Sequence, residues 1–110
     1  MQITLFHGYP DRIGKRAAWV GSGTGPTSYT GGASPTDTIT GFPYQFRIDS
    51  VTEVSISVSG TYYAIAQPSV AGVRATWALR YFTASTGAEV SNSTNLSAES
   101  FILSGFGGFS

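Results

Sequence analysis

The chain has no cysteine, which excludes a disulfide framework and any thiolate metal site. A disulfide-free domain of this size is expected to fold in a reducing cytoplasm. Histidine occurs once, at His7. Charge is scarce: six Lys and Arg balance six Asp and Glu, and charged residues make up 11% of the 110 positions, against about 25% in ordinary domains. The Lys and Arg excess that phosphate neutralisation requires is missing, so nucleic acid is not expected as the main partner. No apolar run approaches the roughly 18 residues of a membrane-spanning helix. Residues 1–7 lack a basic region ahead of a long apolar stretch, so neither a membrane partner nor a signal peptide is expected.

What the chain does contain points one way. Ser, Thr and Gly together fill 42 positions, and aromatics reach 14%. Disordered chains are poor in aromatics and rich in charge, so this one folds. Uncharged hydroxyl-rich surface over an aromatic core is the profile of a β-sandwich or barrel. The length suits one domain with one modest core.

Residues 2–6 read as a short strand and 17–20 as another, with a Gly- and Pro-bearing loop between them that also carries Arg12, Lys15 and Arg16. Residues 21–36 hold five Gly, two Pro and no charge, which argues against a central strand and predicts an extended arm, a long surface loop or a linker. From 44 to 59, apolar and polar residues alternate: Phe46, Ile48, Val54, Ile56 and Val58 fall on one side, and Arg47, Asp49, Glu53, Ser55 and Ser57 on the other, with a weak centre at Asp49 to Thr52 that predicts a bend or a turn dividing two strands in matching phase. Period two marks strands with one buried face. Ser59-Gly60 predicts a turn into a strand over 61–66, followed by a loop at 67–72 around Pro68. Val73, Ala75, Trp77, Leu79 and Tyr81 share one face of a further strand, favoured over a helix because the two-fold alternation is cleaner. Short strands follow at 88–90 and 100–104. The expected core is therefore Ile48, Val54, Ile56, Val58, Trp77 and Leu79, with Tyr44 beside them. The predicted fold is all-β: a single antiparallel, jelly-roll-like sandwich with a loose N-terminal part at 1–40, a core at 41–104 and a flexible aromatic tail at 105–110.

Catalytic and cofactor signatures are not found. His7 is the one ordinary general base for a nucleophilic Ser or Thr, and it lies beside a short terminal strand. Asp49 and Glu53, four residues apart on an extended strand, would stand roughly 13 Å apart, too far for glycoside hydrolysis. The run Gly21, Ser22, Gly23, Thr24, Gly25 lacks the Lys of a phosphate-binding loop. No enzyme activity, metal or cofactor is expected. Asn92-Ser93-Thr94 and Asn95-Leu96-Ser97 match the glycosylation pattern, as chance allows in a Ser/Thr-rich chain. Contact residues are better represented: the basic trio Arg12, Lys15 and Arg16, with Trp19, Tyr29, Phe106 and Phe109 as aromatic anchors.

Ile56, Ser57, Val58, Ser59, Gly60, Thr61, Tyr62 and Tyr63 form a strand, turn and tyrosine corner that resembles those of trimeric jelly-roll heads and phage virion domains. Residues 101–106 (Phe, Ile, Leu, Ser, Gly, Phe) resemble the closing strand of such folds. The resemblance covers about a quarter of the chain. It implies a jelly roll, oligomerisation and a place on a particle surface. The expected function is that of a bacteriophage capsid decoration or cement protein, made in the host cytoplasm and carried on the virion. Its expected partners are the major coat protein and copies of itself. The alternative is a carbohydrate- or receptor-binding module using Trp19, Trp77 or Tyr62 as a stacking platform.

Overall fold

The computed structural model describes residues 1–8, 10–14, 16–43, 45–71 and 74–109. Among them there is no helix. Seven strands are formed: β1 (Thr4–Leu5), β2 (Asp11–Ile13), β3 (Arg16–Thr24), β4 (Phe46–Val54), β5 (Tyr62–Ala71), β6 (Arg74–Thr83) and β7 (Ser100–Phe109). The larger sheet runs β1-β3-β7-β4, with β2 also paired to β3, and the smaller sheet is the β5-β6 ribbon. Every strand pair is antiparallel. The all-β antiparallel sandwich expected from composition is therefore the observed class.

Backbone hydrogen bonds join the two sheets at both edges. On one side, Ser57 N–H donates to the Tyr62 carbonyl (2.8 Å) across the turn between β4 and β5. On the other, Ile39 N–H donates to the Trp77 carbonyl (2.7 Å) and Leu79 N–H to the Asp37 carbonyl (3.0 Å). The same segment then pairs with the N-terminus, through Ile3 N–H to the Thr40 carbonyl (2.8 Å) and Thr40 N–H to the Met1 carbonyl (3.0 Å). Short bridges thus cover edges that would otherwise expose unpaired backbone groups. Between the sheets lies one core that includes Trp19, Tyr29, Phe46, Ile48, Leu79, Tyr81, Leu96, Phe101 and Leu103.

Several expectations are corrected. Residues 8–16 are not all loop, since β2 and the start of β3 form a hairpin about Gly14, whose φ is +66°. The Gly-rich 21–36 segment is not a free arm. Its first four residues complete β3, a central strand. A Cβ on Gly21 would sit 2.7 Å from the Thr4 carbonyl oxygen, so glycine here lets the N-terminal segment lie directly over β3. The remainder is tied down by backbone bonds such as Tyr29 N–H to the Thr94 carbonyl and Leu96 N–H to the Pro26 carbonyl. Pro68 does not end its strand. It lies opposite Trp77, whose own carbonyl turns away to accept from Ile39, so this pair needs no N–H from residue 68.

The two largest corrections concern β4 and β7. The tail predicted to be flexible is the second half of β7, the strand between β3 and β4. Along β4 the register slips between Ile48 and Ser50 and again between Val51 and Glu53. A third extra residue follows, because Ser55 N–H bonds to the Ile102 carbonyl and Val58 N–H to that of Ser100. Inward positions are consequently 46, 48, 51, 54 and 57, stepping by two and then by three. Ser57 is 1% exposed, whereas Ile56 and Val58 are 53% and 83% exposed, the reverse of the expected phase. Ile48 and Leu79 are buried as expected, and Val54 and Trp77 are partly buried against the core. Tyr44 and Val73 lie outside the described residues.

Candidate functional site

The structure brings two of the contact candidates, Arg12 and Phe109, together and buries two others, Trp19 and Tyr29. Trp19 is buried and packs its edge against Phe42, with ring centroids 5.0 Å apart. Its indole nitrogen has no hydrogen-bond partner among the described residues. Tyr29 is 0% exposed. Neither ring is available to a partner, which corrects both anchors. Arg12 lies over the Phe109 ring at 4.6 Å from its centroid, a cation–π contact within the domain. Arg16 is exposed at the start of β3, and Lys15 lies outside the described residues. Phe106 is 43% exposed on β7, and Phe109 is half-buried. Of the three stacking candidates, Trp77 and Tyr62 are half-buried and Trp19 is core. His7 is exposed.

A buried polar network explains Tyr29. Its hydroxyl donates to Glu89 Oε2 (2.6 Å) and accepts the Tyr81 N–H (3.1 Å). Glu89 also accepts from Gly32 N–H at 2.9 Å and from Arg80 at 2.9 and 3.2 Å. The Arg80 guanidinium, then the Gly32 N–H and the Tyr29 hydroxyl, hold the Glu89 carboxyl down at about 2. Burial, then the hydrogen bond to Glu89, pushes the Tyr29 hydroxyl up to about 12. Nearby, Asp37 accepts from the Tyr81 hydroxyl and from the Met1 amino group. Burial, followed by the Asp37 charge, keeps Tyr81 far above the ordinary phenol range. The network anchors the 25–40 segment to β6. Both Glu89 carboxylate oxygens and the Tyr29 hydroxyl bond within the domain, which gives the network a structural role. Sequence reasoning missed it because Glu89 bonds Tyr29 and Gly32 from 60 and 57 positions away; only the rarity of Glu89 and Arg80 in a chain with little charge marks them.

Two concave features remain. One is a groove of about 460 Å³ lined by Gln2, Thr4, Ser22, Gly23, Thr24 and Ser100, all uncharged. The other is a cleft of about 300 Å³ between the start of β4, Trp77 of β6 and residues 39–43. Phe42, Pro43, Phe46 and Trp77 form its walls and Arg47 its rim. Phe42 and Phe46 stack at 5.2 Å with 16° between their planes, and Trp77 Nε1 donates to the Ile48 carbonyl at 3.2 Å. Arg47 Nε donates to Asp49 Oδ1 at 2.7 Å. Each raises the other's charged state: Asp49 falls below the usual carboxylate range and Arg47 rises. The described residues hold no cluster of three or more His, Asp or Glu suited to a metal, and no helix among them is long and apolar enough to cross a membrane.

A third feature is a surface. On β7, inward Phe101, Leu103, Gly105 and Gly107 alternate with outward Ile102 and Phe106, both more than 40% exposed. Ile56 and Val58 are exposed beside the start of the same strand. Comparison with protein-family models, with curated proteins and with solved structures returns no match.

Proposed function

We propose that this chain is a non-enzymatic structural protein that works through surface contact, as a capsid decoration or cement protein of a phage particle would. Its partners in this reading are coat subunits and copies of itself. The observation that carries the proposal is the outward face of β7, where Ile102 and Phe106 stand exposed with Ile56 and Val58 alongside. Exposed apolar groups gathered on one face favour an interface. Ile102 and Phe106 stand on a strand hydrogen-bonded on both sides, so little conformational entropy is lost when a partner covers them. Zero net charge leaves no overall repulsion between copies in a crowded lattice.

The contact surface in this reading is a sheet face, not the arm and tail expected from sequence, since both of those are folded into the domain. Sedimentation velocity across a concentration series tests it. Wild-type protein is expected to associate reversibly, and the double variant I102T/F106S to remain monomeric with an unchanged melting temperature. A wild-type chain that stays monomeric to about 1 mM, the weak end of specific affinity, would overturn self-assembly through this face.

A further inference from the structure

The cleft beside Trp77 has the properties of a pre-formed ligand site, independent of the assembly role. Its aromatic walls are fixed from behind. Trp19 meets Phe42 edge-on at 5.0 Å, Phe42 stacks on Phe46, and Phe46 meets Phe109 at 5.2 Å. Trp77 is held by its indole N–H on the Ile48 carbonyl. None of these rings needs to be ordered when a ligand enters, so the entropic cost of binding is small. At about 300 Å³ the cleft is at the small end of ligand pockets, the size of one ring rather than a long chain.

The rim decides the chemistry. Arg47 and Asp49 form an exposed pair through Nε–Oδ1 at 2.7 Å and a longer Nη2–Oδ2 contact at 3.4 Å. Only Arg47 of the pair lines the cleft, so the rim offers guanidinium donors whose charge Asp49 already balances. An anionic ligand would have to displace Asp49, and a cationic one would meet Arg47. A hydroxyl, which accepts from a guanidinium without bringing a charge of its own, matches such a rim. The aliphatic face of a sugar ring matches the apolar walls.

We propose that the cleft bounded by Phe42, Pro43, Arg47 and Trp77 binds a neutral pyranose, the ring packing on the aromatic walls and its hydroxyls bonding to Arg47 at the rim. Affinity for one ring is expected to be on the order of millimolar, useful where many copies act together.

The test is an NMR titration of the full ¹⁵N-labelled chain with the methyl glycosides of glucose, galactose, mannose and N-acetylglucosamine. The expected result is saturable movement of the Trp77 indole and Arg47 Nε signals with at least one sugar. Arg47→Ala, a change at an exposed side chain, is expected to weaken that affinity at least tenfold while leaving the spectrum folded. Absence of saturable shifts at Trp77 with all four sugars overturns the proposal. So does binding unaffected by Arg47→Ala. Saturation of the same signals by a proline-rich peptide, with none of the sugars binding, also overturns it and assigns the cleft to a peptide partner instead.

Discussion

β4 and β7 are neighbours in one sheet, and they keep different rhythms. β7 alternates inward and outward residues from Ser100 to Gly107, although its second half is a Gly- and Phe-rich stretch that looks like a loose end. β4 alternates over Phe46 to Asp49, loses the alternation at Ser50, Val51 and Thr52, and slips register twice in that stretch. The difference shows that alternation in sequence specifies the buried face only while both strands of a ladder advance together. Each bulge adds one residue to β4 and none to β7, and the side-chain phase moves with it. The two strands are also coupled. A Cβ at Gly105 would overlap the Ser50 carbonyl oxygen, and one at Gly107 would overlap that of Arg47. β4 can bend over β7 because β7 has glycine at those points.

The most direct way to break this pairing is to fill that space. Gly105→Ala is expected to cost about 3 kcal/mol, the upper range for overpacking, because the obstacle is backbone rather than a movable side chain. Gly60→Ala is the control. It lies in open space at φ +78° and is expected to cost about 1 kcal/mol from backbone strain alone. Urea denaturation of the two variants gives the comparison. Equal losses would show that the bulges do not depend on the glycines.

A second test separates the ladder from the segment that crosses between the sheets. Tyr29→Phe removes the hydroxyl that binds Glu89 and accepts the Tyr81 N–H, leaving a buried donor without its acceptor. A loss of about 2 kcal/mol is expected. Acid should act on the same contact. Glu89 is held at about 2 in the folded chain, below its unfolded value of about 4.3. Its contribution is therefore complete above that unfolded value and fades as pH falls through about 2. Amide exchange near Gly32 should accelerate across this window before the β3-β7 amides do, and Glu89→Gln should flatten the response. Simultaneous loss of both regions would mean that the network and the ladder are one cooperative unit.

The fold class was legible because composition and period-two patterning report burial without knowledge of partners. Leu79 and Ile48 were found in this way. Trp19 and Tyr29 were recognised as important aromatics but assigned to a partner, since the low charge around them resembles an interface and also resembles a core. The strand through Gly105 and Gly107 was hidden because glycine in a central strand is disfavoured unless another backbone presses against it, and that neighbour is over 50 positions distant. The Trp77 cleft is built from residues 39–43, 46–48 and 76–77, whose approach is a tertiary event. In sequence, Trp77 has the character of a stacking platform, while Arg47 is one of several residues on a polar strand face.

Smaller effects sharpen the phase reversal beyond β4. Ser57 Oγ accepts the Tyr62 N–H at 3.0 Å, so Ser57→Ala is expected to cost about 1–2 kcal/mol by leaving that donor short of a partner.

Ile56→Ala is the most discriminating substitution, because the two phases forecast different results for it. With the inward alternation continued past Val54, Ile56 would be core and its truncation would cost roughly 2–5 kcal/mol. With the third bulge in place, Ile56 is 53% exposed and already wet, so less than about 1 kcal/mol is expected. The ordering also inverts: in the observed phase the serine outweighs the isoleucine, although isoleucine buries far more surface wherever it is inside. Chemical denaturation of Ile56→Ala and Ser57→Ala under the same conditions measures that ordering directly. A larger loss for Ile56→Ala would return residues 55–58 to simple alternation and remove Ile56 from the exposed apolar face on which the assembly proposal rests.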